Sequence, residues 1–260
     1  MTLELSQLTE HVRAMGDTVA HRQRLQADLV ALAQQWLSDY GAQAETLRDR
    51  ARAERAAIPA EAALDAVHPL PEIPSHYTVI GADGSQIQPD RHGAALYYVI
   101  NVGSLVYRQG SGRAPEARSE AVLGFTEDDL YESGVPVAGN LLDVRRDLAE
   151  LRRLAEIGEK EGLPGTVALA DGPITLWVLK DLPGGARQSK VAVHLDELDR
   201  IRRAGGIIGG FISRPGSKDV TRLLHLAHLS TSNTKPIEAP NPLEYVADRP
   251  VFSSLPGGGR

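Results

Sequence analysis

Two stretches decide the fold: Tyr77-Thr-Val-Ile-Gly-Ala-Asp83-Gly-Ser and Thr166-Val-Ala-Leu-Ala-Asp171-Gly-Pro. Each is a short apolar run bounded by turn chemistry, the pattern of a buried strand, and each ends in a carboxylate followed by Gly. Working outward, Ala94 to Tyr107 (AALYYVINVGSLVY) reads as a longer second strand, joined to the first by a hairpin through the polar QPDRHG segment. Residues 108–134 are polar and read as irregular. Leu141, Val144, Leu148, Leu151, Leu154 and Ile157 recur at spacings of three and four, which predicts a helix over about 141–161. Beyond Asp171 the pattern gives a helix at about 192–204, a strand at Gly206–Ser213 and a helix at about 218–229. The tail, 231–260, is rich in Pro, Gly and Ser and reads as loop, with Tyr245-Val and Pro250-Val-Phe as ordered candidates. Strands first, then alternating helix and strand, predict a mixed α/β sheet flanked by helices.

On the N-terminal side the periodicity is purely helical. Leu5, Leu8, Val12, Met15, Val19, Leu25, Leu29, Leu32 and Trp36 form one stripe, and 41–56 continue in Ala, Arg and Glu. Pro59, Pro69, Pro71 and Pro74 end the helical text and make a stiff connection. The expected organisation is therefore a helical arm over 1–65 and a sheet-bearing domain over 75–260. A stripe that long must bury itself against the core or against a second copy of the chain.

Composition narrows the function. The 260 residues are 42% hydrophobic and 24% charged, ordinary usage for a globular protein. With no Cys, disulfides, thiolate metal sites and Cys nucleophiles are excluded, so a metal must sit on oxygen or imidazole. No apolar run is long enough to cross a bilayer and the N-terminus lacks a signal pattern, which places the protein in the cytoplasm. A net charge of −6 gives no global footprint for nucleic acid and leaves only a local groove.

Chemistry concentrates at the two Asp-Gly sites. If the strands are neighbours, Asp83 and Asp171 fall within several Å of each other, strands lying ~4.8 Å apart, and a divalent cation relieves the repulsion. The alternative reading of each is a plain turn. The intervening helix offers Glu150 and Glu156. Six positions apart, they differ by about 240° of helix rotation and cannot face the same way. Elsewhere, His225 and His228 sit three apart on a predicted helix, a weak metal signal. Ser213, Arg214 and Lys218, at a strand end and helix start, suit a DNA phosphate or simply begin a helix. Ser85 has no local base to activate it, and no phosphate-cradling Gly loop is present.

Taken in order, GADGSQI (81–87), the long second strand, the helix carrying Arg145 to Glu150, ALADGPI (168–174) and GGFISRPGSKD (209–219) resemble the NurA nucleases, over about residues 75–255. The resemblance implies an RNase H-like core and a metal-dependent DNA nuclease, a 5′–3′ exonuclease and single-strand endonuclease. Such enzymes work as homodimers in DNA end resection and double-strand-break repair, beside a HerA-type hexameric ATPase. Asp83 and Asp171 match the family's metal-binding aspartates and Glu150 its helical glutamate, with Glu156 a rival, holding Mn²⁺ or Mg²⁺ as two ions. The family's C-terminal His has no counterpart beyond His228, so the chain is expected to be truncated or diverged there, or the fourth ligand to come from elsewhere. Alternative readings are a non-catalytic scaffold docking on the ATPase and a metal-dependent phosphatase or phosphotransferase.

Overall fold

The computed structural model describes the chain except residues 1–4, 55, 61–62, 163–164, 177–178, 180–183, 232–239, 254 and 256–260. It divides into two compact units, Glu72–Ser213 and a second made of Met1–Pro71 with Arg214–Arg260. The described α-helices of the second unit are α1 (Leu5–Tyr40), α2 (Ala44–Ala53), α6 (Asp219–Thr231) and α7 (Asp248–Phe252), with a 3-10 turn at Gly41–Gln43. The first holds strands β1 (Tyr77–Ile87), β2 (Tyr98–Gln109), β3 (Glu116–Gly124), β4 (Tyr131–Glu132), β5 (Val135–Pro136), β6 (Thr166–Asp171) and β7 (Ile207–Phe211). Its helices are α3 (Glu127–Leu130), α4 (Asn140–Glu161) and α5 (Gly184–Arg203).

In the sheet unit five strands run in the order β3-β2-β1-β6-β7. β2 is antiparallel to both neighbours, whereas β1, β6 and β7 are mutually parallel. That order, with the hairpin strands on one side and the crossover strands on the other, is the RNase H-like arrangement. Strand side chains alternate between faces. Ile80, Ala82, Tyr98, Ile100, Val102, Val106 and Ala168 point to one face, where they form a single core with Leu141, Leu148, Leu151 and Leu154 of α4. The opposite face carries exposed Leu105, Tyr107, Ile207 and Phe211.

Three boundaries differ from the sequence expectation. β1 does not stop at Asp83-Gly84-Ser85, because its ladder with β2 continues unbroken to Ile87↔Val99. β3 lies inside the segment expected to be irregular; as an edge strand with mostly exposed side chains it carries no buried stripe to announce it. α5 begins at Gly184, eight residues before the expected helix. The helix and strands are also tied by charge. Arg145 and Lys190 each meet Glu132 at 2.9 Å, and Arg145 also donates to the Tyr98 hydroxyl and the Asp129 carbonyl. Burial alone would raise the Glu132 carboxyl, but the two cations hold it below its ordinary value.

The helical unit has its own core. Ala33, Trp36 and Leu37 of α1 pack with Leu224 of α6 and with Leu243, Val246 and Val251. Leu47 and Ala51 of α2 pack with Leu223, Leu226 and Ala227. The stretch from Arg214 onward, grouped with the sheet on sequence alone, thus clusters with the arm, since the apolar face of α6 is buried by α1 and α2. The expected loop over 231–260 falls partly on residues outside the described ones, and Pro250-Val-Phe lies in α7. The stripe of α1 is buried only in its C-terminal half. Leu8, Val12, Met15, Val19 and Leu25 are exposed. No helix among the described residues is long and apolar enough to cross a membrane.

The start of α6 is held by Asp248, whose carboxylate accepts from the backbone amides of Asp219, Val220 and Thr221 at 2.9–3.1 Å. These are donors a helix N-terminus otherwise leaves unsatisfied. Replacing Asp248 with Ala is expected to lower unfolding stability by about 1–2 kcal/mol, read by thermal melts, with Asp248→Asn losing less.

Candidate active site

The site is built where β1, β6 and α4 meet. Parallel pairing of β1 with β6 ends at Ala82↔Ala170, so Asp83 and Asp171 occupy the next position on adjoining strands. Both are odd-numbered on strands whose even residues face α4, so both point to the opposite face. There they line a groove of about 410 Å³ with Gly81, Gly103, Leu105, Leu169 and Phe211. Asp171 closes its strand, Gly172 following at φ 94°, a backbone that suits Gly. Asp83 is different, for it sits within a continuing strand opposite Gly103.

Glu150 approaches from the other face. It lies on α4 at only 9% exposure, and a Cβ on Gly84 would run into its Oε1 and come within 2.7 Å of Arg146 Cγ. The glycine after Asp83 therefore serves close approach of a helix rather than a turn. Glu150 Oε1 is 3.3 Å from Arg146 Nε, and Arg146 Nη2 donates to Asp147 at 2.9 Å. Glu150, Asp171, Arg146, Asp147 and His194 line a pocket of about 230 Å³ together with residues 173–176. Asp171 is thus the acid common to the groove with Asp83 and the pocket with Glu150.

Electrostatics join the three acids across the sheet edge. Burial, followed by the Asp147 charge, pushes the Glu150 carboxyl up to about 7; Arg146 opposes this, and Asp83 and Asp171 add to it. Burial lowers His194, against a hydrogen bond to the Ile174 backbone. Glu156, the rival to Glu150, lies elsewhere on α4, half-exposed and 3.6 Å from Arg153.

The structure brings Asp83 and Asp171 together on one face and sets Glu150 on the other, in a pocket that Asp171 at its strand end also lines. Ser213, Arg214 and Lys218 are exposed, Lys218 over the Tyr245 ring, and the α6 amides proposed for a phosphate are filled by Asp248. His228 stacks on Trp36 at 4.3 Å and meets the Tyr40 hydroxyl, and buried His225 stacks at 6.3 Å on the same indole. Both histidines belong to the helical unit's core. Sequence reasoning missed Arg146, Asp147 and His194. The first two carry a signal in hindsight, standing four and three residues before Glu150 on one helix.

A divalent cation fits the donor chemistry: the three acids offer hard oxygen donors, and the burial and neighbouring carboxylates that raise Glu150 are what a cation would offset. Among the described residues no three His, Asp or Glu side chains are already gathered around one point. Mg²⁺-like ions need no such cage, being commonly held by one or two carboxylates with water and substrate oxygens completing the shell.

The NurA domain family matches this sequence over residues 77–259. The chain belongs to the NurA family. No curated protein matches it. Among solved structures this NurA-family chain is similar to the NurA nuclease from Sulfolobus solfataricus, at 12% identity and TM-score 0.37 over 58% of this chain and 54% of that one. It is similar to a NurA bound to dAMP and manganese, at 12% identity and TM-score 0.32, over 88% of this chain and 47% of that one. A type 1 RNase H with the type 2 active-site motif is also similar, at 17% identity and TM-score 0.31, over 64% of this chain and 76% of that one. The chain spans about half the length of the two NurA structures.

The Glu150 environment has a measurable consequence. The folded carboxyl holds its proton more tightly than an ordinary Glu at 4.5, so the contribution of Glu150 to metal-free stability is fully present below pH 4.5 and is lost as pH rises through about 7. In chelator, Glu150→Gln is expected to be more stable than wild type at pH 8 by about 1 kcal/mol, allowing for solvent screening, and equal to it at pH 4. Thermal melts at both pH values check this.

Proposed function

We propose that this chain is a divalent-metal-dependent DNA nuclease that hydrolyses phosphodiester bonds. The observation that carries the reading is the alignment of Asp83 and Asp171 on adjoining parallel strands, with Glu150 buried across the sheet edge and electrostatically coupled to both. Asp83, Glu150 and Asp171 would hold Mn²⁺ or Mg²⁺ as two ions. Bound there, the ions supply Lewis-acid stabilisation of the attacking and leaving oxygens. The chain's own part is to position the acids. Hydrolysis adds water across the P–O3′ bond: the water oxygen bonds to phosphorus, and O3′ departs with a proton drawn from the attacking water or solvent. Glu150 would release its own proton on binding metal, since a ligating carboxylate must be ionised. The groove beside Asp83, floored by Gly81 and Gly103, brings backbone close enough for a nucleic-acid strand to lie near the acids.

Family membership supports DNA as the substrate class, 5′–3′ resection and single-strand cleavage in double-strand-break repair, and a cytoplasmic HerA-type hexameric ATPase as partner. Mn²⁺-dependent cleavage of labelled DNA by the wild-type chain is the test. Asp83→Asn and Asp171→Asn are expected to lose at least a hundredfold in rate with unchanged circular dichroism, removal of a metal-ligand charge being of order several kcal/mol. Full activity in either variant, or no cleavage by wild type with either ion, overturns the reading.

The exposed half of the α1 stripe supports self-association as a dimer, since Leu8, Val12, Met15, Val19 and Leu25 leave an apolar line of about five turns uncovered. Replacing Val12 and Met15 together by Glu is expected to convert dimer to monomer in light scattering while leaving helix content intact. An unchanged mass removes the stripe from the interface.

A further inference from the structure

We infer that Arg146 is an exchangeable counter-ion: it neutralises Glu150 while the site lacks a divalent cation, and turns to a DNA phosphate when a cation takes that carboxylate. The inference deepens the proposed function and rests on it, since it needs Glu150 to meet metal.

Arg146 stands one helical turn before Glu150 on α4, and both side chains approach Gly84 in space that a Cβ there would fill. Its contacts are those of a charge held by position rather than by a full set of bonds. Nη2 donates to Asp147, and Nε lies 3.3 Å from Glu150 Oε1 yet is buried without a hydrogen-bond partner. A buried guanidinium N–H left unsatisfied costs roughly 1–3 kcal/mol, so this placement is not one that packing alone rewards. Among the described residues Arg146 is the one Lys or Arg lining the pocket that also holds Asp147, Glu150 and Asp171. A divalent ion on Glu150 would stand within a few Å of Nε, and two cations cannot share that space at low cost. The same displacement frees guanidinium donors in a pocket that Asp171 also lines, where a strand bound at the acids brings its phosphates.

Calorimetric titration of the full chain with MnCl₂, without DNA, reads the first half. Arg146→Met is expected to bind Mn²⁺ about fivefold tighter than wild type, its competing charge being gone. Binding of an oligothymidylate with Ca²⁺ in place of Mn²⁺ reads the second half. The variant should bind it more weakly, with the slope of log affinity against log salt reduced by about 1. A residue that only packs α4 on the sheet would lower thermal stability and leave both readings unmoved. Should Arg146→Met lose its circular-dichroism signal, Arg146→Gln, which keeps an amide donor for Asp147, is read by the same two titrations. Mn²⁺ affinity that does not rise, or an unchanged salt slope, overturns the inference. Glu150→Gln separates the two levels: if it leaves Mn²⁺ binding untouched, the metal reading of Glu150 fails and takes the inference with it. If it weakens Mn²⁺ while the Arg146 variants bind no tighter, the inference alone fails.

Discussion

The close approach of α4 to β1 at Gly84 is the constraint on which the sheet unit depends. A helix normally stands off a sheet by the depth of two side chains; here a glycine lets Arg146 and Glu150 settle directly on the strand. The leucines of α4 reach Ile80, Ala82 and Ala168 in the same register, so one contact sets both the core and the height of the acid. Any side chain at position 84 would have to move Glu150 or Arg146. Gly84 is therefore tied to Glu150 as directly as either aspartate is.

That contact also explains why the acids are not equivalent. Asp83 and Asp171 stand on the more open face among glycines, whereas Glu150 is buried against a strand with one imperfectly bonded guanidinium for company. Desolvation and neighbouring carboxylates both favour the neutral form of Glu150, and Arg146 offsets only part of this. Without a cation, electrostatic cost is thus concentrated on the helix rather than spread over three side chains. Function, in the proposed reading, draws on the same imbalance, because a cation would be most welcome where the carboxyl is most crowded.

The helical unit follows a different logic. Its two small cores depend on α6, which brings Leu223, Leu224 and Leu226 between the two N-terminal helices, and on Asp248, which closes the amides at the helix start. The histidines that looked like a ligand pair are held by aromatic stacking and a hydroxyl. A His pair at helical spacing specifies a shared face; what that face meets decides the chemistry. Here it meets Trp36.

Local pattern was enough for much of the architecture. The apolar runs ending at Asp83 and Asp171, and the three-and-four spacing of the α4 leucines, fix strands and helix because each depends on neighbours within a few residues. Family membership was legible for the same reason, in short motifs around those runs. What the sequence left open depends on contacts distant in the chain. β3 is an exposed edge strand whose only requirement is a partner ladder, and the continuation of β1 past Gly84 exists because β2 keeps pairing with it. The face on which each acid stands follows from strand parity counted against α4, which no local window contains. The grouping of residues after Arg214 with the arm, and the meeting of Arg146 with Glu150 over a glycine, were likewise decided by tertiary packing, where burial and charge act between segments that the sequence separates.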